Sequence, residues 1–190
     1  MTARPGWLPR AAVAGLVAAL GAGWVLALSR IDGAAAAVPA KAVAPAAWPA
    51  LTLQDLAGAP QRLDGASPQV RVVNLWARWC APCRRELPAL QRLAPMLASH
   101  QVQLLTVALD DDDFGLREYL ASRGLTLPVW RPASADLAAQ LALHSLPQTL
   151  VLDRQGRVVQ RIVGERDWDA EPERARLLAI VERLGRDPEH

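Results

Sequence analysis

A run of seven mostly apolar residues, Val70-Arg-Val-Val-Asn-Leu-Trp76, is followed three residues later by the only two cysteines of the chain, Cys80 and Cys83. Leucines at positions 87, 90, 93 and 97 then repeat at helical spacing. The β-branched run reads as a buried strand and the leucine pattern as an amphipathic helix over 81–99. The cysteines therefore sit where a strand hands over to a helix. Pro88 falls inside that helix and is expected to interrupt and kink it, because proline removes a backbone donor and crowds the preceding turn.

The same alternation continues downstream. Residues 102–109 read as a second strand and 114–123 as a helix ended by Gly124. Residues 127–130 read as a short strand, and 134–143 as a short helix capped by Ser134. Strands at 149–152 and 158–163 are joined by Asp153-Arg-Gln-Gly156, a hairpin turn. A closing amphipathic helix covers 170–184 and ends at Gly185. Upstream, Leu51-Thr-Leu53 and Gln61-Arg-Leu63 flank Gly58-Ala-Pro60, the pattern of a small hairpin. Strands alternating with helices and finishing in a hairpin describe an α/β fold with a mixed sheet flanked by helices.

The first 50 residues are different in kind. Arg4 and Arg10 precede a charge-free stretch, residues 11–29, long enough to span roughly 28 Å as a helix against a hydrocarbon core of ~30 Å. Arg4 and Arg10 before it, against Arg30 beside Asp32 after it, place the N-terminus on the cytoplasmic side. Two readings stay open: an uncleaved anchor, or a signal peptide cleaved at small residues among 34–37. Either delivers the rest of the chain across a membrane. Residues 33–50 are rich in Ala and Pro and read as an extended spacer. The expected organisation is an anchor segment at 1–32, the spacer at 33–50, a folded domain at 51–185 and a tail at 186–190.

Charge separates along the same boundary. The first 50 residues carry four basic residues against one acid, whereas beyond them 17 Arg face 18 acids. The net +2 therefore belongs to the N-terminal segment, and no basic stripe of the kind that binds nucleic acid is present.

A C-x-x-C pair at a strand-to-helix junction is a redox signature. Cysteines at i and i+3 on a first helical turn can close a short bridge and reopen it. Cys80, at the helix N-terminus, meets unpaired N–H groups and a dipole that favour thiolate. Cys83, one turn further in, suits a resolving thiol. An idle structural disulfide and a zinc site are the competing readings; zinc commonly needs four ligands, and one pair supplies two.

The segment Val72-Val-Asn-Leu-Trp-Ala-Arg-Trp-Cys-Ala-Pro-Cys-Arg-Arg-Glu-Leu-Pro88 resembles the active-site region of the thioredoxin superfamily, and within it the extracytoplasmic TlpA/ResA/CcmG (DsbE) branch. Leu146-Pro-Gln-Thr149 resembles the cis-proline loop of that family. The likeness runs over about 51–184. It implies a thioredoxin-like sheet preceded by an N-terminal hairpin, and thiol–disulfide exchange by Cys80 and Cys83. It implies a cis peptide bond before Pro147, and a proton-exchanging role for Glu86. Partner contact falls to Trp79, Ala81, Pro82, Leu146 and Pro147. Asn74 stands where classical thioredoxins carry a buried aspartate, which moves any acid–base role towards Glu86.

The resemblance further implies a reductant of disulfides in apocytochrome c or other metalloprotein cysteines. It would be recharged by a membrane electron donor of CcdA or DsbD type, on the periplasmic face of a bacterial inner membrane. No cofactor beyond the cysteine pair and no metal is expected. A disulfide-forming oxidant, and a copper-delivery or assembly module using the same two sulfurs, are the alternatives.

Several residues carry simpler readings. Arg84 and Arg85 read as a solvated helix face, with steering of an acidic partner as the alternative. Trp76 and Trp79 read as packing residues, Trp79 with an added option of covering the active sulfur. Asp110–Asp113 lacks the glycine and terminal glutamate of a calcium loop and reads as an acidic helix start. His144 reads as a partly exposed residue near the site mouth.

Overall fold

The computed structural model describes residues 46–49, 52–63, 65–133 and 136–186. The anchor or signal segment, most of the spacer, the cap expected at Ser134 and the last four residues lie outside the described residues. Among the described residues no helix is long and apolar enough to cross a membrane.

In chain order the elements are β1 (Ala46–Ala47), β2 (Thr52–Asp55), β3 (Pro60–Arg62), β4 (Val70–Trp76), α1 (Ala81–Ser99), β5 (Val102–Ala108) and α2 (Asp113–Ser122). These are followed by β6 (Val129–Pro132), α3 (Leu137–Gln140), β7 (Gln148–Leu152), β8 (Arg157–Val163) and α4 (Glu171–Arg186). The strands form one mixed sheet in the order β1-β8-β7-β4-β5-β6-β2-β3. β4–β5 and β5–β6 are parallel, and every other neighbouring pair is antiparallel.

β4 is buried along its whole length, as its β-branched run predicts. Val70, Val72 and Trp76 meet Leu87, Leu90 and Leu97 of α1 and Leu177 and Val181 of α4. Val73 and Leu75 face the other way, against Leu53, Leu63, Leu105, Leu150 and Trp48. Asn74 is the one polar position on the α1 face of β4.

Five expectations are corrected. α1 is not broken at Pro88: it runs unbroken from Ala81 to Ser99 through Pro88 and Pro95, with buried leucines on both sides of each proline holding it to the sheet. The short strand is β6 at Val129–Pro132, two residues later than its apolar run suggests, because its parallel pairing with β5 starts at Thr106↔Val129. The short helix shrinks to Leu137–Gln140, and α4 continues past Gly185 to Arg186.

The fifth correction concerns the spacer. Ala46 and Ala47 pair antiparallel with Val158 and Arg157, and Trp48 is only 2% exposed. Folded structure therefore includes residues that composition assigned to the linker. Nothing in an Ala–Ala pair signals a strand; the edge of β8 recruits it. Gly156, in the left-handed region at φ 78°, turns the β7–β8 hairpin and accepts from the Trp48 N–H through its carbonyl at 3.0 Å. A Cβ there would come within 2.7 Å of the Gly65 carbonyl oxygen.

The hairpin expected upstream forms as β2 and β3, with Thr52 opposite Arg62. It does not stand apart from the sheet. β2 also pairs with β6, so the hairpin extends one edge.

Candidate active site

The backbone leaves β4 at Trp76, turns through Ala77–Trp79 and enters α1 with Cys80 as its N-cap residue. Cys80 holds an extended conformation, and its Sγ accepts from the Cys83 N–H at 3.3 Å. Its own N–H donates to the Ala77 carbonyl at 3.1 Å. Pro82, near the start of the helix, has an N–H-free nitrogen where the helix offers no partner anyway. Cys80 and Cys83 are joined as a disulfide, with S–S 2.08 Å and Cα–Cα 5.3 Å. Cys80 is 7% exposed and Cys83 1% exposed, so the outer sulfur is the N-terminal one.

A buried polar cluster lies beneath the disulfide. Glu86, three residues beyond Cys83 and 2% exposed, accepts through Oε1 from the Asn74 Nδ2 at 3.2 Å and from the Trp168 Nε1. The same Asn74 amide donates to Thr149 Oγ1 at 3.0 Å. Glu86 Oε2 is buried without a hydrogen bond of normal geometry. Burial raises the Glu86 carboxyl to about pH 7, and the Trp168 and Arg166 N–H groups hold it from rising further. A carboxyl with that pKa can give or take a proton at neutral pH.

The third component is the loop before β7. The Leu146–Pro147 bond is cis, as the motif implied. Antiparallel register sets Gln148 opposite Leu75, so Pro147 arrives at the end of β4 from which the cysteine turn departs. The Pro147 carbonyl accepts from the Gly164 N–H at 2.9 Å. Arg161 braces the loop, donating to Gln148 Oε1 at 2.6 Å and to the Leu141 carbonyl at 3.1 Å.

The cysteine turn is also pinned from β5. Asp110, buried, accepts from the Arg78 N–H at 2.9 Å and from the Arg78 Nε at 3.1 Å. Arg78 Nη2 donates to Asp112, which caps α2 by accepting from the Gly115 N–H. Gly115 leaves room for this clamp, since a Cβ there would overlap the Arg78 guanidinium and the Asp112 carboxylate. The acidic run is thus a helix start, as read, and an anchor for the active turn, which was not read. Asp113 pairs with Arg131 at 2.6 Å.

Of the residues singled out from the sequence, Cys80 caps α1, Cys83 and Glu86 lie in it, and register brings Pro147 to the same end of the sheet. Trp76 packs in the core as expected, but Trp79 does not: it is 70% exposed, because the turn after Ala77 carries it out of the sheet. Ala81 is exposed, Pro82 and Leu146 are half-buried, and His144 is exposed. Trp168 and the clamp by Asp110 were missed. A single tryptophan in the polar loop Gly164-Glu-Arg-Asp-Trp-Asp-Ala170 was the available signal, since an indole in such a loop is usually placed by a buried partner.

A family model described as Redoxin matches residues 42–178. The chain belongs to the Redoxin family. It is 30% identical over 116 residues to the thiol-disulfide oxidoreductase ResA of Geobacillus thermodenitrificans, covering 61% of this chain and 67% of that protein. It is 26% identical over 117 residues to ResA of Bacillus anthracis, covering 62% and 68%. Among solved structures, a secreted thiol-disulfide isomerase from Corynebacterium glutamicum superposes with a TM-score of 0.59 at 24% identity, covering 74% of this chain and 86% of that one. That likeness bears on the fold, which is thioredoxin-like. This Redoxin member is a homologue of thiol–disulfide oxidoreductases with its own C-x-x-C disulfide in place.

Proposed function

We propose that this Redoxin-family chain reduces disulfides of partner proteins outside the cytoplasm, with Cys80 as nucleophile and Cys83 as resolving thiol. The observation that carries the reading is the Cys80–Cys83 disulfide at the N-terminus of α1 with a buried carboxyl one turn below it.

In the reduced protein the Cys80 thiolate attacks one sulfur of a substrate disulfide. That S–S bond breaks, a mixed disulfide with Cys80 forms, and the departing substrate thiolate takes up a proton. Cys83 then loses its proton to the Glu86 carboxylate and attacks Cys80 Sγ. The second substrate thiol leaves, and the Cys80–Cys83 disulfide is restored. Two electrons pass from the pair to the substrate. An external dithiol must reduce the pair again; a membrane donor of CcdA or DsbD type fits that role. The cysteine pair serves as its own redox group, without a further cofactor.

Two features favour a reductant. Strong oxidants owe their potential to a stabilised thiolate form. Here Cys80 Sγ receives one backbone N–H, and a carboxylate beneath the sulfurs disfavours negative charge on them. Trp79, Ala81, Pro82, Leu146 and Pro147 are assigned to substrate contact, the backbone at the cis-proline pairing with an extended peptide. Cysteines of apocytochrome c or of another metalloprotein are the proposed targets. Residues 11–29 are assigned to the membrane anchor that would hold the domain near its donor.

Cys80→Ala should abolish reduction of a protein disulfide, whereas Cys83→Ala should accumulate mixed disulfides that can be isolated and identified. Full activity in the Cys80 variant would defeat the reading. A redox titration should place the pair near about −270 mV; a value near about −120 mV would make it an oxidant.

A further inference from the structure

Two hollows open beside the cysteine turn. One, of about 410 Å³, is lined by Ala81, Arg84, Arg85, Pro88, Tyr119 and Arg123. The other, of about 380 Å³, is lined by Arg78, Trp79, Arg84 and Tyr119, with Asp110. They share Arg84 and Tyr119, so together they form a trough running past Ala81, the first of the two residues between the cysteines.

The trough is cationic although the chain beyond residue 50 has slightly more acids than bases. The carboxylate that lines it and the one paired with Arg85 are already engaged. Asp110 holds Arg78, and Glu165 is paired with Arg85 at 2.5 Å. Arg84 and Arg123 form no ion pair with a carboxylate among the described residues. Arg123 is placed by its stack on Tyr119, with its guanidinium carbon 5.9 Å from the ring centroid, and that ring rests on Trp76 at 6.0 Å. Arg84 sits in the first turn of α1, where helix N–H groups also favour negative charge. Two exposed arginines, one in α1 and one at the C-cap of α2, thus line one groove, the second of them in contact with an aromatic ring. A guanidinium pair of this kind suits carboxylates.

We infer that the enzyme selects disulfide substrates carrying acidic residues beside the attacked cysteine, which Arg84 and Arg123 receive in the trough along Ala81 and Tyr119. The inference rests on the redox reading above and names a substrate class for it. A peptide docked at Pro147 and attacked by Cys80 would lead its flanking residues over this groove. Solvated cations there steer acidic partners and leave basic ones slower.

The test uses the reduced protein and three matched peptides, each holding one cysteine as a mixed disulfide with a neutral pyridinethiol. The flanking pair of residues is Glu, Gln or Lys. Release of pyridinethione reports attack by Cys80, and Cys83 then frees the peptide thiol, so each turnover leaves the protein disulfide. At low ionic strength the Glu peptide should react on the order of tenfold faster than the Lys peptide, with Gln between. The order should narrow in salt. It should collapse towards unity in Arg84→Gln/Arg123→Gln and persist in Arg92→Gln, whose side chain pairs with Asp169 further along α1. Rate ratios cancel any change in thiol reactivity that the variants cause.

Equal rates for the three peptides, or an order that survives the double variant, would overturn the preference while leaving the redox reading intact. Absence of reaction with every peptide would defeat both. Equal peptide rates with binding to anionic lipid vesicles that the double variant loses would assign the trough to a membrane surface instead.

Discussion

Glu86 is the residue on which structure and chemistry meet most directly. Its carboxyl is raised to about 7 from an ordinary 4.5 chiefly by burial. The folded protein therefore holds a proton that the unfolded chain releases as pH rises through that window. The stability this group contributes is fully present below pH 4.5 and is lost as pH passes 7. The shift corresponds to about 3 kcal/mol, applied to a side chain that is 2% exposed. Urea midpoints of the disulfide form should fall across this range in the wild type. In Glu86→Gln, which keeps an acceptor for Trp168 and Asn74, the fall should be reduced by that amount. Trp168→Phe removes a donor that favours the carboxylate, and should move the wild-type window to higher pH. An unchanged pH profile in Glu86→Gln would place the proton elsewhere. The position of Glu86 relative to Cys83 was legible from i,i+3 spacing. Its partner Trp168, 82 residues away, was not, because no local pattern encodes a contact made by folding one loop over another.

At the scale of elements, the strand–turn–helix unit follows from local signals that agree, Pro88 apart. A β-branched run, a proline in the first helical turn and regular leucines specify β4 and α1 to the residue. The turn between them is a different matter. Its geometry depends on Asp110 at the end of β5, which binds both the backbone and the guanidinium of Arg78. Asp110→Asn keeps the shape but replaces one acceptor by an amide donor facing an Arg78 N–H. That substitution should cost about 2 kcal/mol, the range for a lost hydrogen bond to a charged group. Chemical denaturation measures it, and a midpoint equal to wild type would show that the clamp contributes nothing. The elements that sequence patterns misplaced share one physical cause. β1, β6 and α3 have weak or ambiguous patterns of their own, and their limits are set by pairing with β8 and β5 or by packing under the sheet.

Across the whole molecule, the sheet assembles the site by topology. Parallel β4 and β5 both end at the turn carrying Cys80, antiparallel β7 begins there with the cis-proline, and the loop after β8 returns Trp168 to cover Glu86. The opposite face of the sheet supports that arrangement through a second core containing Val73, Leu75, Leu150 and Trp48. Trp48 enters this core from a segment whose composition resembles a spacer. The segment from Ala46 to Trp48 therefore joins linker to fold: two residues pair with β8, and the next places an indole against β4 and β7. Removing residues 1–50 should destabilise the remaining domain, although that cut follows the boundary drawn by composition. Trp48→Ala in the full chain isolates the packing contribution, which for a buried tryptophan is about 3–5 kcal/mol. A truncation starting at residue 40 should match the full chain in urea midpoint, while one starting at residue 51 should fall at least as far as Trp48→Ala. If the shorter domain were as stable as the longer, the β1 pairing and the indole would be decorative, and the fold would begin where the alanines end.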